Sequence, residues 1–154
     1  MKTSIELTSL LLVGWIAGAE LGSWSCVQPV VARLPYAQYI AAEQAMLRTF
    51  GRIMPVLMPL SSVLTVALVV VSQGETGVVW WLRIAAAICL AVTVITTLTV
   101  NVPINLRTAN WTITNDPSEW QDLRNRWHVF QGVRGVLFGA AFVLLTLALV
   151  SPLD

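Results

Sequence analysis

Four apolar stretches dominate the sequence, and each is about as long as a bilayer is thick. They cover approximately residues 7–31, 53–72, 78–100 and 132–150. A helix needs roughly 20 apolar residues to cross the hydrocarbon core, so four crossings with their connections use most of the 154 residues. We therefore predict one all-α integral membrane domain, a four-helix antiparallel bundle with short interfacial helices on the cytoplasmic side.

Composition supports this class. Hydrophobic residues make up 56% of the chain and charged residues 11%, with a mean hydropathy of +0.75. In a soluble domain about a quarter of the residues are charged. The net charge of +1 leaves no broad basic surface, so we exclude nucleic acid as a partner and expect the lipid bilayer instead.

The ends of the chain and its arginines predict an orientation. Lys2, an apolar run and Ala17-Gly18-Ala19 together are typical of a signal peptide, but we interpret this segment as the first membrane helix. Most arginines fall in the connections after the first and third spans. The positive-inside rule therefore predicts a multi-pass protein of a bacterial inner membrane with both termini outside the cytoplasm.

The first span has two contrasting sides. One side carries three glycines that form two overlapping GxxxG repeats: Gly14, Gly18 and Gly22. Such a face packs closely against another helix, either of this chain or of a second copy in a homo-oligomer. The other side starts a polar stripe with Glu20, followed by Trp24 and Gln28. A carboxylate at bilayer depth is costly, so Glu20 is either a functional residue or the partner of an arginine in this chain.

Two segments outside the spans are also predicted to be helical. Residues 36–52 place Ile40, Leu47 and Phe50 on one face, with Glu43 pointing elsewhere, which is typical of a short interfacial helix. The sequence Asp116-Pro117-Ser118-Glu119 has an N-cap carboxylate and a proline at the first helical position, which predicts a helix start.

A polar run between the third and fourth spans holds most candidate site residues. A stripe of hydroxyl and amide side chains recurs every fourth residue and leads into it: Thr93, Thr97, Asn101 and Asn105. This stripe predicts either a cavity lining or hydrogen bonds between helices. Further along, Arg124, His128 and Gln131 share roughly one helical face, with Trp127 and Arg134 flanking it. We expect that face to look into the bundle at the membrane boundary.

The sequence offers no usual metal-ligand set. Cys26 and Cys89 both lie in apolar stretches, without a CxxC motif, and are interpreted as packed thiols. A single histidine gives neither a zinc or di-iron site nor the paired ligands of a membrane haem, so no cofactor is evident in the sequence. The remaining alternative is copper or iron held by Glu20, His128 and a methionine, either Met54 or Met58.

As a whole, the pattern resembles a family of small four-span membrane proteins, long catalogued as a domain of unknown function, that includes the anthrone oxygenases. The first matching features are the glycine-rich first span that ends in Pro29 and the segment from Glu43 to Pro59. A third is Asn-x-Pro-x-Asn with a downstream Trp-x-x-x-(His/Asn)-x-x-Arg: Asn101, Pro103, Asn105, Trp127, Gln131 and Arg134. Relatives often have histidine where this chain has Gln131, and its only histidine lies three residues earlier.

The resemblance implies an enzyme that oxidises an activated aromatic methylene of a hydrophobic, polyketide-like molecule, with O₂ as co-substrate and no evident cofactor. Such chemistry needs a base, donors for an oxyanion and a dry apolar pocket. Glu20 or His128 is the expected base. The oxyanion donors would be Arg134, Asn101 and Asn105, and the other substrate contacts Trp24, Gln28, Trp111, Arg124, Trp127 and Gln131.

Two other function classes stay open. A non-catalytic accessory subunit would use the same pocket for a lipid or isoprenoid and the glycine face for a partner helix. Transport is less favoured, because four spans need oligomerisation to form a path and the sequence shows no inverted repeat.

Overall fold

The computed structural model describes residues 2–74 and 77–151, which are almost entirely helical. Four segments in this part of the chain are long and apolar enough to cross a bilayer: Lys2–Val31, Tyr36–Val71, Val78–Ala109 and Pro117–Val150. The predicted all-α, four-span membrane fold is therefore confirmed. Its orientation across the membrane stays a prediction from the arginines.

Two of the four spans contain a π-helical turn. In chain order the elements are α1 (Lys2–Gly22), π1 (Ser23–Val27), α2 (Gln28–Val31), α3 (Tyr36–Val71), α4 (Val78–Thr96), π2 (Thr97–Asn101), α5 (Val102–Ala109) and α6 (Pro117–Val150). Helix α1 packs against α3 and α6, and α4 packs against the same two helices, which closes the bundle.

Both π-helical turns have a proline as their cause. Proline lacks an N–H and its ring clashes with the carbonyl four residues earlier. For Pro29 that carbonyl belongs to Ser25, inside π1, and for Pro103 it belongs to Thr99, inside π2. The chain widens at these turns and remains helical, so Pro29 does not close the first span as its position in the sequence suggested.

The helices also extend beyond the predicted spans. Residues 36–52, predicted as a separate interfacial helix, are instead the first half of α3, which is 36 residues long. Helix α6 has 34 residues and begins at the predicted cap, where the Asp116 side chain accepts a hydrogen bond from the Ser118 amide. At 1.5 Å per residue such helices are about 50 Å long, so their ends project beyond a hydrocarbon core of about 30 Å.

Glycines bring the first span and α6 close together at two levels. A Cβ added to Gly14 would lie 2.7 Å from a ring carbon of Phe142, and one added to Gly132 would lie 2.8 Å from the Trp24 ring. By contrast, a Cβ on Gly18 or Gly22 would meet nothing within 4 Å. Part of the predicted glycine face therefore packs within the chain, and oligomerisation through it stays a prediction.

Two clusters of buried side chains fill the bundle. The larger is aliphatic and runs through its middle, with Ile16, Leu68, Leu90 and Phe138 essentially inaccessible. The second lies where α3 and α6 begin and is mostly aromatic: Tyr39, Ile40, Ile104, Trp111, Trp120, Leu123 and Trp127. The tryptophans of the polar run therefore pack inside the protein at this end of the bundle.

Candidate functional site

A cavity of about 210 Å³ lies between the aliphatic and the aromatic cluster. Helix α3 forms much of one wall, and the other walls come from the first span (α1, π1 and α2), the α4–π2–α5 segment and α6. Most of the lining is apolar, including Leu47, Phe50, Met54, Met58, Leu98 and Val102. Polar and charged side chains also line it, and two of them are buried carboxylates.

The first carboxylate, Glu20, is held by two residues of α6. Arg134 donates to Glu20 Oε2 from Nε at 2.9 Å and from Nη2 at 2.7 Å. The Gln131 side chain also donates to this oxygen and accepts from Arg134. Glu20 is 2% exposed and Arg134 7%. The interpretation of Glu20 as the partner of an arginine in this chain is thus confirmed.

Arg134 also extends towards α4. Its Nη1 donates to Thr97 Oγ1 at 3.4 Å, a long contact made to a residue of the widened turn π2. Thr97, Gln131 and Arg134 all line the cavity. The guanidinium therefore presents positive charge and donor N–H groups at the edge of an otherwise apolar space, where electrostatic interactions are stronger than in water.

The second carboxylate, Glu43, pairs with Arg124 where α3 meets α6. Glu43 Oε2 lies 2.7 Å from Arg124 Nη2, and both side chains are at least 97% buried. The Arg124 guanidinium stacks 4.3 Å from the centre of the Trp127 ring. Glu43 lines the cavity, whereas Arg124 lies behind it. Since the Glu43 Oε1 atom has no hydrogen-bond partner in the protein, this carboxylate keeps one unoccupied oxygen.

Sequence reasoning missed Glu43, although the signal was present. The sequence pattern placed Ile40 and Leu47 on one face of residues 36–52 and Glu43 elsewhere. Glu43 follows Ile40 by three residues and precedes Leu47 by four, so all three lie on one helical face. Ile40 is 6% exposed and Glu43 is 2% exposed, as expected for a shared buried face.

The structure brings six of the predicted site residues together at the cavity. Asn105 and Trp127 are joined by a hydrogen bond of 2.9 Å from the indole Nε1 to the amide oxygen. Gln28 lies beside the Glu43 carboxylate. With Glu20, Gln131 and Arg134, these residues make up the predicted part of the lining.

A comparison with known families fits this arrangement. A family model described as anthrone oxygenase matches residues 46–144. The chain belongs to the anthrone oxygenase family. Membership confirms the resemblance seen in the sequence and indicates an oxygenase acting on aromatic, polyketide-like substrates. No curated protein and no solved structure matched the chain.

In this anthrone oxygenase family member, the segment that matches the family model contains the arginine of each ion pair at the cavity but not the glutamate. Arg124 and Arg134 lie inside residues 46–144, whereas Glu43 and Glu20 precede it. The first span and the start of α3 thus bring carboxylates to arginines of α6. The site is complete only when these segments pack against one another.

Five predicted site residues do not line the cavity of this family member: Trp24, Asn101, Trp111, Arg124 and His128. The His128 ring stacks on Trp24 with 5.6 Å between ring centres and is partly exposed. Trp111 donates from its indole to the Tyr36 hydroxyl at 3.0 Å. The Asn101 side chain is fully buried, with no hydrogen-bond partner in the protein. The structure therefore separates the two candidate bases, with Glu20 at the cavity and His128 outside its lining.

A third buried ion pair lies at the other end of the bundle. Arg83 donates from Nη2 to Glu6 Oε1 at 2.7 Å and from Nη1 to Ser72 at 3.1 Å. None of these residues lines the cavity. Glu6 therefore provides a matched control for substitutions of the carboxylates at the cavity.

The copper or iron alternative with Glu20, His128 and a methionine stays a prediction. Within residues 2–74 and 77–151, no group of three or more His, Cys, Asp or Glu side chains is placed to hold a metal ion. Both cysteines are free thiols. Cys89 is partly buried as predicted, but Cys26 is exposed on the outside of π1, so its interpretation as a packed thiol was wrong.

Proposed function

We propose that the protein oxidises an activated methylene of a hydrophobic aromatic, polyketide-like molecule to a ketone, using O₂, inside the cavity. In the overall reaction the CH₂ group and O₂ give a carbonyl group and water. The observation that carries the proposal is the Glu20–Gln131–Arg134 network on the wall of an apolar cavity, in a member of the anthrone oxygenase family.

The size and lining of the cavity suit an aromatic guest. An apolar cavity of about 150 Å³ binds benzene. At about 210 Å³, this cavity accommodates a larger aromatic group. Its apolar walls exclude water, which strengthens electrostatic interactions with a developing charge, and O₂ is itself an apolar molecule.

Access to the cavity is proposed to run through the bilayer. Three large hydrophobic lining residues are also exposed on the outside of the bundle: Phe50 at 40%, Leu98 at 62% and Val102 at 37%. These residues lie on spans, whose outer surfaces face lipid. A hydrophobic substrate dissolved in the membrane would therefore enter between α3 and the α4–α5 segment.

Two prolines in α3 leave backbone carbonyl groups free to accept hydrogen bonds from substrate hydroxyl groups. Because Pro55 and Pro59 have no N–H, the carbonyls of Gly51 and Pro55 lack their usual helical donors four residues later. Both of these residues line the cavity. A hydroxylated aromatic ring could donate to such carbonyls, which fits the polyketide-like class.

The proposed chemistry starts with loss of a proton from the substrate methylene. The electron pair of the broken C–H bond spreads into the aromatic system as an enolate, whose oxygen is stabilised by the Arg134 guanidinium. The enolate carbon then transfers electrons to O₂, and a C–O bond forms to give a hydroperoxide. Loss of the second C–H proton and cleavage of the O–O bond release water and leave the ketone.

The test is oxygen uptake by the purified protein in lipid nanodiscs with an anthrone as substrate, followed together with ketone formation. Arg134→Gln should reduce both rates, whereas Glu6→Gln removes a buried carboxylate outside the cavity and should not reduce them comparably. Binding of the anthrone without oxygen uptake by the wild-type protein would contradict the proposal. It would favour the accessory role, with a lipid or isoprenoid in the same cavity.

A further inference from the structure

A groove of about 470 Å³ lies on the outside of the bundle, between the end of the third span and the start of α6. Its floor is apolar and includes Val100, Ile104 and Leu123. Four charged side chains border it: Arg107, Glu119, Asp122 and Arg126. None of the residues that line this groove lines the cavity, so it is separate from the site of the proposed oxidation.

The groove lies at the level where the spans leave the hydrocarbon core. Trp81, at the other end of the third span, is 63% exposed, as is typical of an anchor at the membrane interface. Val100 follows Trp81 by 19 residues, or about 28 Å of helix, which is close to the thickness of the core. The four charged residues lie beyond the level of Val100, so phospholipid headgroups surround them.

The charged groups of the groove do not satisfy one another. Arg107 Nη2 and Glu119 Oε2 lie 3.8 Å apart, which is longer than a hydrogen bond, and both side chains are more than half exposed. Asp122 and Arg126 are one helical turn apart, yet neither makes an ion pair with any residue in the described ranges 2–74 and 77–151. Two cations and two carboxylates are therefore available to a ligand that carries both charges.

The order of these charges along α6 matches the order of charges in a zwitterionic lipid. Arg126 lies four residues, or about 6 Å, closer to the fourth apolar stretch than Asp122, and Glu119 lies further out than both. In a phospholipid the phosphate is next to the glycerol and the acyl chains, and an amine, where present, is outermost. An arginine at the inner level and carboxylates at the outer level therefore fit a phosphate followed by an ammonium group.

The chemistry of the side chains narrows the headgroup further. The guanidinium fork of arginine binds phosphate oxygens through two parallel hydrogen bonds. A primary ammonium has three N–H donors for carboxylates, whereas the trimethylammonium of choline has none. The charges of the two arginines and two carboxylates sum to zero, which favours a zwitterionic headgroup over an anionic one.

From this arrangement we propose that the groove binds one phospholipid whose headgroup carries a phosphate and a primary ammonium, which is phosphatidylethanolamine. Arg126 and Arg107 hold the phosphate, and the carboxylates of Asp122 and Glu119 accept from the ammonium. The acyl chains lie against the apolar floor and continue along the third span. This inference does not rest on the proposed function, because the groove and the cavity share no residue.

The experiment is native mass spectrometry of the purified full chain, titrated in detergent with lipids of identical acyl chains. The three lipids are phosphatidylethanolamine, phosphatidylcholine and phosphatidylglycerol. We expect the first to bind at least about tenfold more tightly than the other two, since a hydrogen bond to a charged group contributes about 1.5–3 kcal/mol and tenfold is about 1.4 kcal/mol.

Three variants locate the binding site. Arg126→Gln should weaken phosphatidylethanolamine binding about tenfold. Asp122→Asn should abolish the preference over phosphatidylcholine without changing the affinity for phosphatidylcholine, because only the ammonium group uses that carboxylate. Arg48→Gln is the matched control, since Arg48 is also an exposed arginine on a span and lines neither the groove nor the cavity.

The results decide the proposal in either direction. Equal affinities of the wild-type protein for phosphatidylethanolamine and phosphatidylcholine would overturn it, and so would an Arg126→Gln variant that binds like Arg48→Gln. Tighter binding of phosphatidylglycerol would assign the groove to an anionic lipid instead. The substituted side chains are all exposed, so the variants should fold, and circular dichroism checks their helix content. Anthrone oxidation enters none of these measurements, so the two proposals can fail separately.

Discussion

Arg134 contacts Glu20 through two nitrogens, Nε at 2.9 Å and Nη2 at 2.7 Å, and thereby joins the first span to the last. Both side chains are buried, so neither charge is solvated by water. Removal of one partner from a buried ion pair costs about 3–5 kcal/mol, because the other charge remains uncompensated. The pair therefore contributes to the assembly of the cavity as well as to its electrostatics.

A double-mutant cycle on this pair tests that contribution. We expect Glu20→Gln and Arg134→Gln each to lower the unfolding free energy strongly, and the double variant to lose less than the sum. The measurement is reversible unfolding in detergent. As a control, Arg134→Gln combined with Glu6→Gln should be additive, since 14 residues of helix place Glu6 and Glu20 about 21 Å apart. Additivity for Glu20 and Arg134 as well would contradict the coupling.

Gly51 offers a way to fill the cavity without straining the helix. A Cβ at Gly51 meets nothing within 4 Å, and the residue lines the cavity. We expect Gly51→Trp to weaken anthrone binding at least about tenfold, which is about 1.4 kcal/mol. Gly18→Trp is the matched control, because a Cβ there is equally free and Gly18 does not line the cavity. Equal loss of binding in both variants would argue against this binding site.

Substitution of His128 tests which of the two bases expected from the sequence, Glu20 or His128, removes the proton. It stacks on Trp24 and does not line the cavity, so its removal should leave the chemistry in place. Loss of a general base costs about 10²- to 10⁴-fold in rate, and we expect no loss of that size in His128→Ala. Oxygen uptake at saturating anthrone measures this. A loss in that range, with the fold intact, would restore His128 as the base and remove the case for the cavity carboxylates.

Acidification is expected to loosen the start of α6. The hydrogen bond from the Ser118 amide holds the pKa of the Asp116 carboxyl below its ordinary value. An acid with a lowered pKa in the folded state stabilises that state above its unfolded pKa, and this contribution is lost as the pH falls through the folded pKa. Amide hydrogen exchange at Ser118 should therefore rise, relative to its intrinsic rate, below that pKa. Asp116→Asn keeps an acceptor that does not titrate, and the same pH dependence in that variant would exclude Asp116 as its cause.

Several residues of the candidate site could be predicted from the sequence one at a time. Polar and ionisable groups inside a membrane are costly wherever the bundle places them, so Glu20, Gln131 and Arg134 stood out in the sequence, and all three line the cavity. Glu43 was missed because residues 36–52 were interpreted as a helix on the membrane surface, where a carboxylate is solvated and uninformative. Only the continuity of α3 showed that this carboxylate enters the bundle.

The sequence by itself determined the class of the fold, since four long apolar stretches with few charges can satisfy their backbone groups in lipid only as helices. It also marked the helix start at Asp116, because a cap is a local effect of one side chain on its own backbone. The tertiary structure decided which carboxylate meets which arginine and which polar groups share the cavity. Those outcomes depend on the rotation of each helix about its axis and on the distance between helices. Both are determined by contacts between residues far apart in the sequence, such as Gly14 and Phe142, which are more than a hundred residues apart.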